Sequence, residues 1–451
     1  MPWLDITAAA LILLTLIMGV VTRRGKALMV IILGLTAGAA LVAALSFEGA
    51  RPQVVALVIL AVLTAGVIFW LRSARYPRLA KAASVILTLS LVGSAGSAWV
   101  LPPISFPAGS GPYAVGVDTK VWTDENRDTR GDNLPGERRS LPATIWYPAH
   151  RSGERAAYVP GHERAAQLTD ALARHYGVPP LMLDGISRSR SNATWQSEPA
   201  EGSFPVVLAS PGLNSTRWFF TAWAEELASN GVIVIALDHP YDSPVTELTD
   251  GTWALSELET TGDDLRDQAM ADQWTGIRAA DMSAVIDHLD SDPVEPPALQ
   301  SADRSHIITA GHSLGGAAAL ETARLDDRVD AAVDIDGMPR TPENAAPVTK
   351  PALAIVAGDA DPNPEYNAAL DALLDDGNEV RVTLDGVTHF GMIDVGLMIG
   401  PVPGITGTRG TSGPTSVAQA TLHLIDAVTT GRSLNTPALA QLGTVSAPDS
   451  K

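Results

Sequence analysis

The chain has no cysteine among its 451 residues. That excludes disulfides, thiolate zinc sites and a cysteine nucleophile, and an oxidising compartment would pose no thiol problem. It also lacks an excess of positive charge: 31 Lys and Arg stand against 50 Asp and Glu, a formal net charge of −19. An acidic surface offers nothing to a phosphate backbone, so nucleic acid is not an expected partner. Internal repeats are absent too.

Charge is missing from four long apolar stretches near the N-terminus: roughly Ile6–Thr22, Ala27–Phe47, Val54–Leu71 and Ala82–Leu101. Each approaches the ~20 residues a helix needs to cross a bilayer. With no internal charge there is no basis for a proton relay or ion site, so an anchoring role is expected. The leader Met1-Pro2-Trp3-Leu4-Asp5 has no basic region and three further spans follow the first, a poor fit to a secretory signal. Arg23, Arg24 and Lys26 lie between spans one and two, and Arg72, Arg75, Arg78 and Lys81 between spans three and four. The middle loop has only Arg51, offset by Glu48. Positive loops stay cytoplasmic, so both ends of the four-span region, and all that follows it, are expected outside the cell membrane.

The expected organisation is a transmembrane anchor over 1–101, a Pro/Gly-rich linker over 102–112, a catalytic domain over 113–430 and a flexible polar tail over 431–451. Segments Tyr113–Trp122 and Ala143–Tyr147 read as strands, and Glu163–Tyr176 as a helix. From Pro205 onward, Val- and Ile-rich runs alternate with helical windows: Val206–Ala209, Val232–Leu237, Ile307–Ala310, Ala331–Ile335, Ala352–Val356 and Val380–Leu384. That alternation predicts an α/β fold with a mostly parallel, buried sheet. The acidic stretch Glu247–Asp272 reads as helical and as part of a cap over 241–272.

One run carries chemistry. The strand Ser305–Ala310 leads into Gly311-His312-Ser313-Leu314-Gly315-Gly316, and Ala317–Leu325 is helical. Strand, G-x-S-x-G and helix together make a nucleophile elbow and predict an α/β-hydrolase fold, with Ser313 as nucleophile. Gly311 and Gly315 relieve crowding around the strained serine, and Gly316 lets the helix start close to the strand. In this fold the base follows the serine, which leaves His389 and His423. His423 lies within an amphipathic helix, whereas His389 follows a strand in Gly386-Val387-Thr388-His389-Phe390, so His389 is the expected base. His239, His306 and His312 are expected to be packing or hydrogen-bonding residues.

The acid is open between Asp334 and Asp336 after one strand and Asp359 and Asp361 after the next; chain topology alone favours the later pair. The run from Asp359 to Asn363 lacks the glycine and distal glutamate of a calcium loop, so no metal or cofactor is expected. The oxyanion donors are expected to be the N–H groups of Leu314 and of Leu213, in the turn Ser210-Pro211-Gly212-Leu213-Asn214 after an earlier strand. Trp218, Phe219 and Phe220 could line an apolar wall or simply pack.

Over roughly Ser203–Gly396 the sequence resembles the platelet-activating-factor acetylhydrolase family of α/β-hydrolase lipases. The resemblance rests on Phe204-Pro205-Val206-Val207 before the Ser-x-Gly-Leu turn, Leu227-Ala228-Ser229-Asn230-Gly231, Asp238-His239-Pro240-Tyr241-Asp242-Ser243, Arg278 and Asp281, the Gly-His-Ser-x-Gly-Gly elbow and Thr388-His389-Phe390. It implies that the acid is Asp336, just over twenty residues after the serine, and that the reaction is calcium-independent hydrolysis of lipid or other small esters. Two features depart from the pattern: Pro211 stands where the family has histidine, and the family does not require four membrane spans. An acyltransferase, a cutinase-like polyester hydrolase and a catalytically silent membrane sensor or transport subunit are the alternatives.

Overall fold

The computed structural model describes residues 3–21, 27–48, 51–72, 77–130, 138–258, 261–291, 296–340, 345–358, 364–374 and 379–446. Two compact units result: residues 1–104 with Met398–Gly400, and Ser105–Leu397 with Pro401–Lys451.

The first unit contains four helices, each long and apolar enough to cross a membrane: α1 (Trp3–Val21), α2 (Ala27–Glu48), α3 (Pro52–Arg72) and α4 (Pro77–Val100). Ala8, Ile12, Ala37, Leu41, Leu57 and Leu91 meet inside, while large residues such as Leu28, Leu35, Val62 and Phe69 face outward. An apolar exterior of this kind suits hydrocarbon rather than water. The helices run past the apolar stretches that define them in sequence. Asp5 falls in the first turn of α1, where its buried carboxylate pairs with Arg51, the residue before α3. Spans one and three therefore begin at the same level. The basic residues Arg23, Arg24, Lys26 and Arg75 lie outside the described residues.

The second unit is built on an eleven-stranded sheet. Its strands are β1 (Ala114–Asp128), β2 (Arg138–Ala149), β3 (Arg155–Ala157), β4 (Arg190–Trp195), β5 (Phe204–Ser210), β6 (Ile233–Leu237), β9 (Ala302–His312), β10 (Ala331–Ile335), β11 (Ala352–Ala357), β12 (Glu379–Leu384) and β13 (Thr444–Ser446). They lie in the order β13-β12-β11-β10-β9-β5-β6-β2-β1-β4-β3. The block from β12 to β6 is parallel throughout, and β2 joins it antiparallel. β6 and β10 are buried along their whole length, as continuous apolar runs require when both faces are covered.

Helices α8 (Asp264–Ser291), α9 (Leu314–Leu325) and α10 (Pro364–Leu373) cover one face, burying Met282, Val285, Leu320 and Leu370 against Val206, Leu208, Ile233 and Ile235. Alternate strand residues point to the other face. There α7 (Thr221–Ser229) packs with α12 (Gly413–Thr430), and Trp223 Nε1–H donates to Thr421 Oγ1 at 3.2 Å. This is the α/β-hydrolase architecture.

Three expectations change. The stretch expected to be helical from Glu247 is not so at its start: β7 (Val245–Glu247) and β8 (Trp253–Leu255) form an antiparallel hairpin, and the helix begins only at Asp264. Asp250-Gly251, with Gly251 at φ +81, supplies the turn that the acidic composition masks. The polar segment from Gly431 is not free over its described residues, which end at Ser446. It forms the short helix α13 (Thr436–Leu439), capped by Asn435, and then β13, which adds to the edge of β12. The linker packs as well: Phe106 and Pro107 carbonyls accept from Asn192, and Ser110 donates to Glu226. Of the three aromatics after the turn at Pro211–Asn214, Trp218 meets Trp146 edge-on and Phe220 meets Trp223, and all are buried as packing residues.

Candidate active site

Sheet register brings the chemistry together. In the β5–β9 pair Ser210 is opposite Gly311, and in the β9–β10 pair His312 is opposite Ile335. The residues just past these strand ends, Pro211 to Asn214, Ser313 and Asp336, therefore emerge side by side. β6 lies on one side of β5 and β9 on the other, so the site occupies the switch point where α/β sheets bind ligands.

Ser313 has φ +56 and ψ −126, a backbone conformation that costs on the order of 1–3 kcal/mol for a residue with a side chain. Neighbours hold it there: its N–H donates to Ile335 O at 2.9 Å, and its carbonyl accepts the Gly316 N–H at 2.8 Å. The flanking glycines have no room for more. A Cβ on Gly311 would stand 2.1 Å from Gly315 O, one on Gly315 1.9 Å from Ser210 O, and one on Gly316 1.9 Å from Asp334 Oδ1. Ser313 heads α9, whose N-terminal dipole favours negative charge beside it.

His389 follows β12 and opens a short 3₁₀ turn, His389–Met392. Its Nδ1 is 2.6 Å from Asp336 Oδ2, and Asp336 Oδ1 accepts the Ala357 N–H at 2.9 Å. Burial raises the Asp336 carboxyl, but the His389 hydrogen bond and charge together with the Ala357 N–H outweigh it, leaving it below the usual carboxylate value. His389 is 35% exposed and Asp336 17%, so the ring opens to solvent with its acid partner behind it. Asp334, one turn of strand earlier, is wholly buried and bonded elsewhere: Oδ1 accepts the Gly337 N–H at 2.8 Å and Oδ2 the Tyr366 hydroxyl at 3.1 Å. Burial pushes it well above the normal range, and it makes no contact with the imidazole. Asp359 and Asp361 lie outside the described residues.

Two side chains, those of His312 and Asp394, make contacts that carry no obvious sequence signal. His312 Nε2–H donates to the His389 carbonyl at 2.9 Å, tying the His389 loop to the neighbour of Ser313. Burial and the nearby His389 push the His312 imidazole down to about 3, so it adds no positive charge beside His389. In addition, Asp394 Oδ1 accepts the Ala222 N–H at 3.1 Å and Oδ2 the Tyr158 hydroxyl at 3.2 Å, pinning the segment after His389 to α7.

The turn after β5 touches the elbow directly, for a Cβ on Gly212 would lie 3.3 Å from Ser313 Cβ. Leu213 is half-buried, and its N–H has no acceptor among the described residues. Leu314 N–H, at the start of α9, has no intrahelical acceptor. Among the described residues no cluster of His, Asp and Glu could hold a metal ion. His423 is in α12, away from these contacts, while His239 and His306 bond to Asp281 and Asp303.

The model of the family described as platelet-activating factor acetylhydrolase, isoform II, matches residues 100–260. The chain is similar to these acetylhydrolases. A probable 1-alkyl-2-acetylglycerophosphocholine esterase of Arthroderma benhamiae is 27% identical over 264 residues, 55% of this chain and 62% of the relative. The platelet-activating factor acetylhydrolase of Cavia porcellus is 24% identical over 254 residues, 51% of this chain and 55% of that one. The chain thus spans little more than half the length of these acetylhydrolases. Among solved structures, the ferulic acid esterase of Streptomyces cinnamoneus matches with a TM-score of 0.62 and 28% identity, over 76% of this chain and 98% of the other. The acetylhydrolase family match ends before Ser313, so it rests on the first half of the sheet rather than on the elbow.

Proposed function

We propose that the chain is a membrane-anchored serine carboxylic-ester hydrolase acting on lipid esters, with Ser313 as nucleophile, His389 as base and Asp336 as acid. The observation that carries it is the 2.6 Å contact between His389 Nδ1 and Asp336 next to a serine held in a strained elbow. With Nδ1 committed to the acid, Nε2 is the nitrogen available to the serine. Ser313 Oγ attacks the acyl carbon as Nε2 takes its proton, and Leu213 and Leu314 N–H groups receive the developing oxyanion. The tetrahedral intermediate collapses, His389 returns the proton to the leaving alcohol, and an acyl-serine remains. Water, deprotonated by the same nitrogen, then releases the acid.

The names of the relatives favour an acetyl or other short acyl group on a glycerophospholipid, and the ferulic acid esterase favours a broader ester tolerance. The four apolar helices would tether the catalytic unit to a membrane, and the basic loops favour its outer side.

The full chain in detergent should react with a fluorophosphonate at Ser313, and Ser313→Ala should abolish both labelling and turnover. Comparing 1-alkyl-2-acetylglycerophosphocholine with long-acyl phospholipids and feruloyl esters fixes the substrate, and an alcohol acceptor separates transfer from hydrolysis. No labelling, or full activity in Ser313→Ala, overturns the enzyme reading. Because the chain has no cysteine, a single Ser152→Cys reports sidedness through a membrane-impermeant maleimide on intact cells.

A further inference from the structure

Beneath the oxyanion turn lies a buried polar chain that hydrolysis itself does not use. Arg278, on α8, is 0% exposed and has five donors to satisfy. Two go to Asp242, whose Oδ1 lies 2.7 Å from Nη2 and whose Oδ2 accepts from Nε. The others reach the oxyanion turn: Nη1 donates to the Pro211 carbonyl, and Nη2 to the Gly212 carbonyl at 3.1 Å. Ser210 Oγ also lies within reach of Nη1, at 3.4 Å.

Ser210 belongs to a second serine–histidine–aspartate series. Its Oγ is 2.9 Å from His239 Nε2, and His239 Nδ1 is 2.7 Å from Asp281 Oδ2. Arg139 and Arg127 clamp Asp281 at 2.6 and 2.7 Å, and hold it ionised despite its burial. An ionised Asp281 keeps the His239 proton on Nδ1, so Nε2 accepts the Ser210 hydroxyl and leaves the serine oxygen to accept from Arg278. Every proton in the series then has one direction. Ser210 and His239 are both 0% exposed, so this series cannot reach an ester.

Its effect is on the turn. A trans peptide is planar, with its C=O and N–H pointing opposite ways. The Gly212 carbonyl accepts from Arg278 and from the Ser215 N–H, each at 3.1 Å, and the Arg278 bond turns it toward α8, so the Leu213 N–H points away from α8. The face of Gly212 that remains lies against Ser313. Pro211 has no N–H and no polar side chain of its own to fix the turn. Resting on the triad reading above, we infer that Arg278 is a positioning residue: it sets the Leu213 N–H in the oxyanion hole by holding the Pro211 and Gly212 carbonyls from behind, and the Asp281–His239–Ser210 series keeps it in place.

The test uses the full chain in detergent with Arg278→Lys and Arg278→Gln, read by kcat, KM and affinity for a trifluoromethyl ketone analogue of the ester, which becomes an oxyanion on Ser313. Loss of a well-placed donor costs roughly a hundredfold or more in kcat. A displaced one should cost about ten- to a hundredfold in Arg278→Gln and less in Arg278→Lys, with KM nearly unchanged. Ketone affinity should fall in step with kcat/KM. Should Arg278→Gln not fold, Asp242→Leu with Arg278→Met removes both buried charges together, and the same loss of ketone affinity is expected. Unchanged kcat, a change confined to KM, or a fall in kcat with ketone affinity kept would each overturn the inference. If the unaltered chain does not take up fluorophosphonate, the esterase reading fails instead; if it does and the Arg278 variants match it, only the positioning role fails.

Discussion

Asp336 Oδ2 stands 2.6 Å from His389 Nδ1 while its other oxygen accepts the Ala357 N–H. Both carboxylate oxygens are acceptors facing N–H donors, and this dictates what an amide would do. In Asp336→Asn one of the two donors would face an NH₂ group, which would turn the ring or disfavour its needed tautomer. A kcat loss of about 10³–10⁴ with little change in KM is expected. Asp334→Asn should retain kcat within about threefold, because its carboxyl, pushed up by burial, is bonded to Gly337 and Tyr366 and not to the imidazole. Steady-state kinetics of the two variants beside Asp359→Asn and Asp361→Asn decide the acid; a larger loss in either of the last two would refute Asp336.

His312 holds the loop of His389, the proposed base, through a backbone contact. His312→Ala removes the bond to the His389 carbonyl and should lower kcat about tenfold. Because His312 is pushed down to about 3, it is neutral across the working range, and the midpoint of the acid limb should not move. A displaced midpoint in the pH–kcat/KM profile would mean that the two imidazoles titrate together.

The elbow glycines differ sharply in tolerance from a helix glycine. Gly315→Ala drives a methyl group to 1.9 Å from Ser210 O and should cost more than about 3 kcal/mol, preventing folding or lowering Tm steeply. Gly276→Ala, in α8 with nothing within 4 Å of the new carbon, should raise stability by about 0.5–1 kcal/mol. Thermal unfolding of both variants is the check, and similar Tm values would contradict the packing described.

Glu225 links stability to pH. Burial raises its carboxyl from 4.5 to about 7, against the opposing hydrogen bonds of Ala193 and Asn192. Between these values the folded chain keeps a proton that the unfolded chain has lost, so the stabilising contribution is full below about 4.5 and is lost as pH rises to about 7. The loss is on the order of 3 kcal/mol. Wild-type Tm should therefore fall relative to Glu225→Gln between pH 5 and pH 8; parallel curves would exclude the effect.

What the sequence reveals depends on how local the determinant is. The four spans, the β5 and β6 runs and the elbow are written in contiguous residues, and a reading by periodicity and motif finds them. The β7–β8 hairpin is missed because three-residue strands carry too little alternation to outweigh an acidic, helix-like composition. The fate of residues 431–446 is missed because β13 owes its place to an open edge of β12, not to its own propensity. The acid shows the limit most clearly. Asp334 and Asp336 differ by two positions in sequence, and only the left-handed turn at Asp336, φ +55, brings one of them to the imidazole while the other stays in the sheet. Arg278 and Asp281 stand out as charges on a buried helix, but their partners are 36 or more residues away, in contacts no linear pattern encodes.

Arg278 and Asp281 lie three residues apart on α8, one gripping the oxyanion turn and the other anchoring the histidine behind it. A single rigid rod thus serves as the datum for the donor side of the site, much as a lens mount fixes two elements at once. A displacement of α8 would therefore move both contacts together, and the β7–β8 hairpin is tied to the same turn, where the Ser256 hydroxyl donates to Asn214 Oδ1 at 2.7 Å.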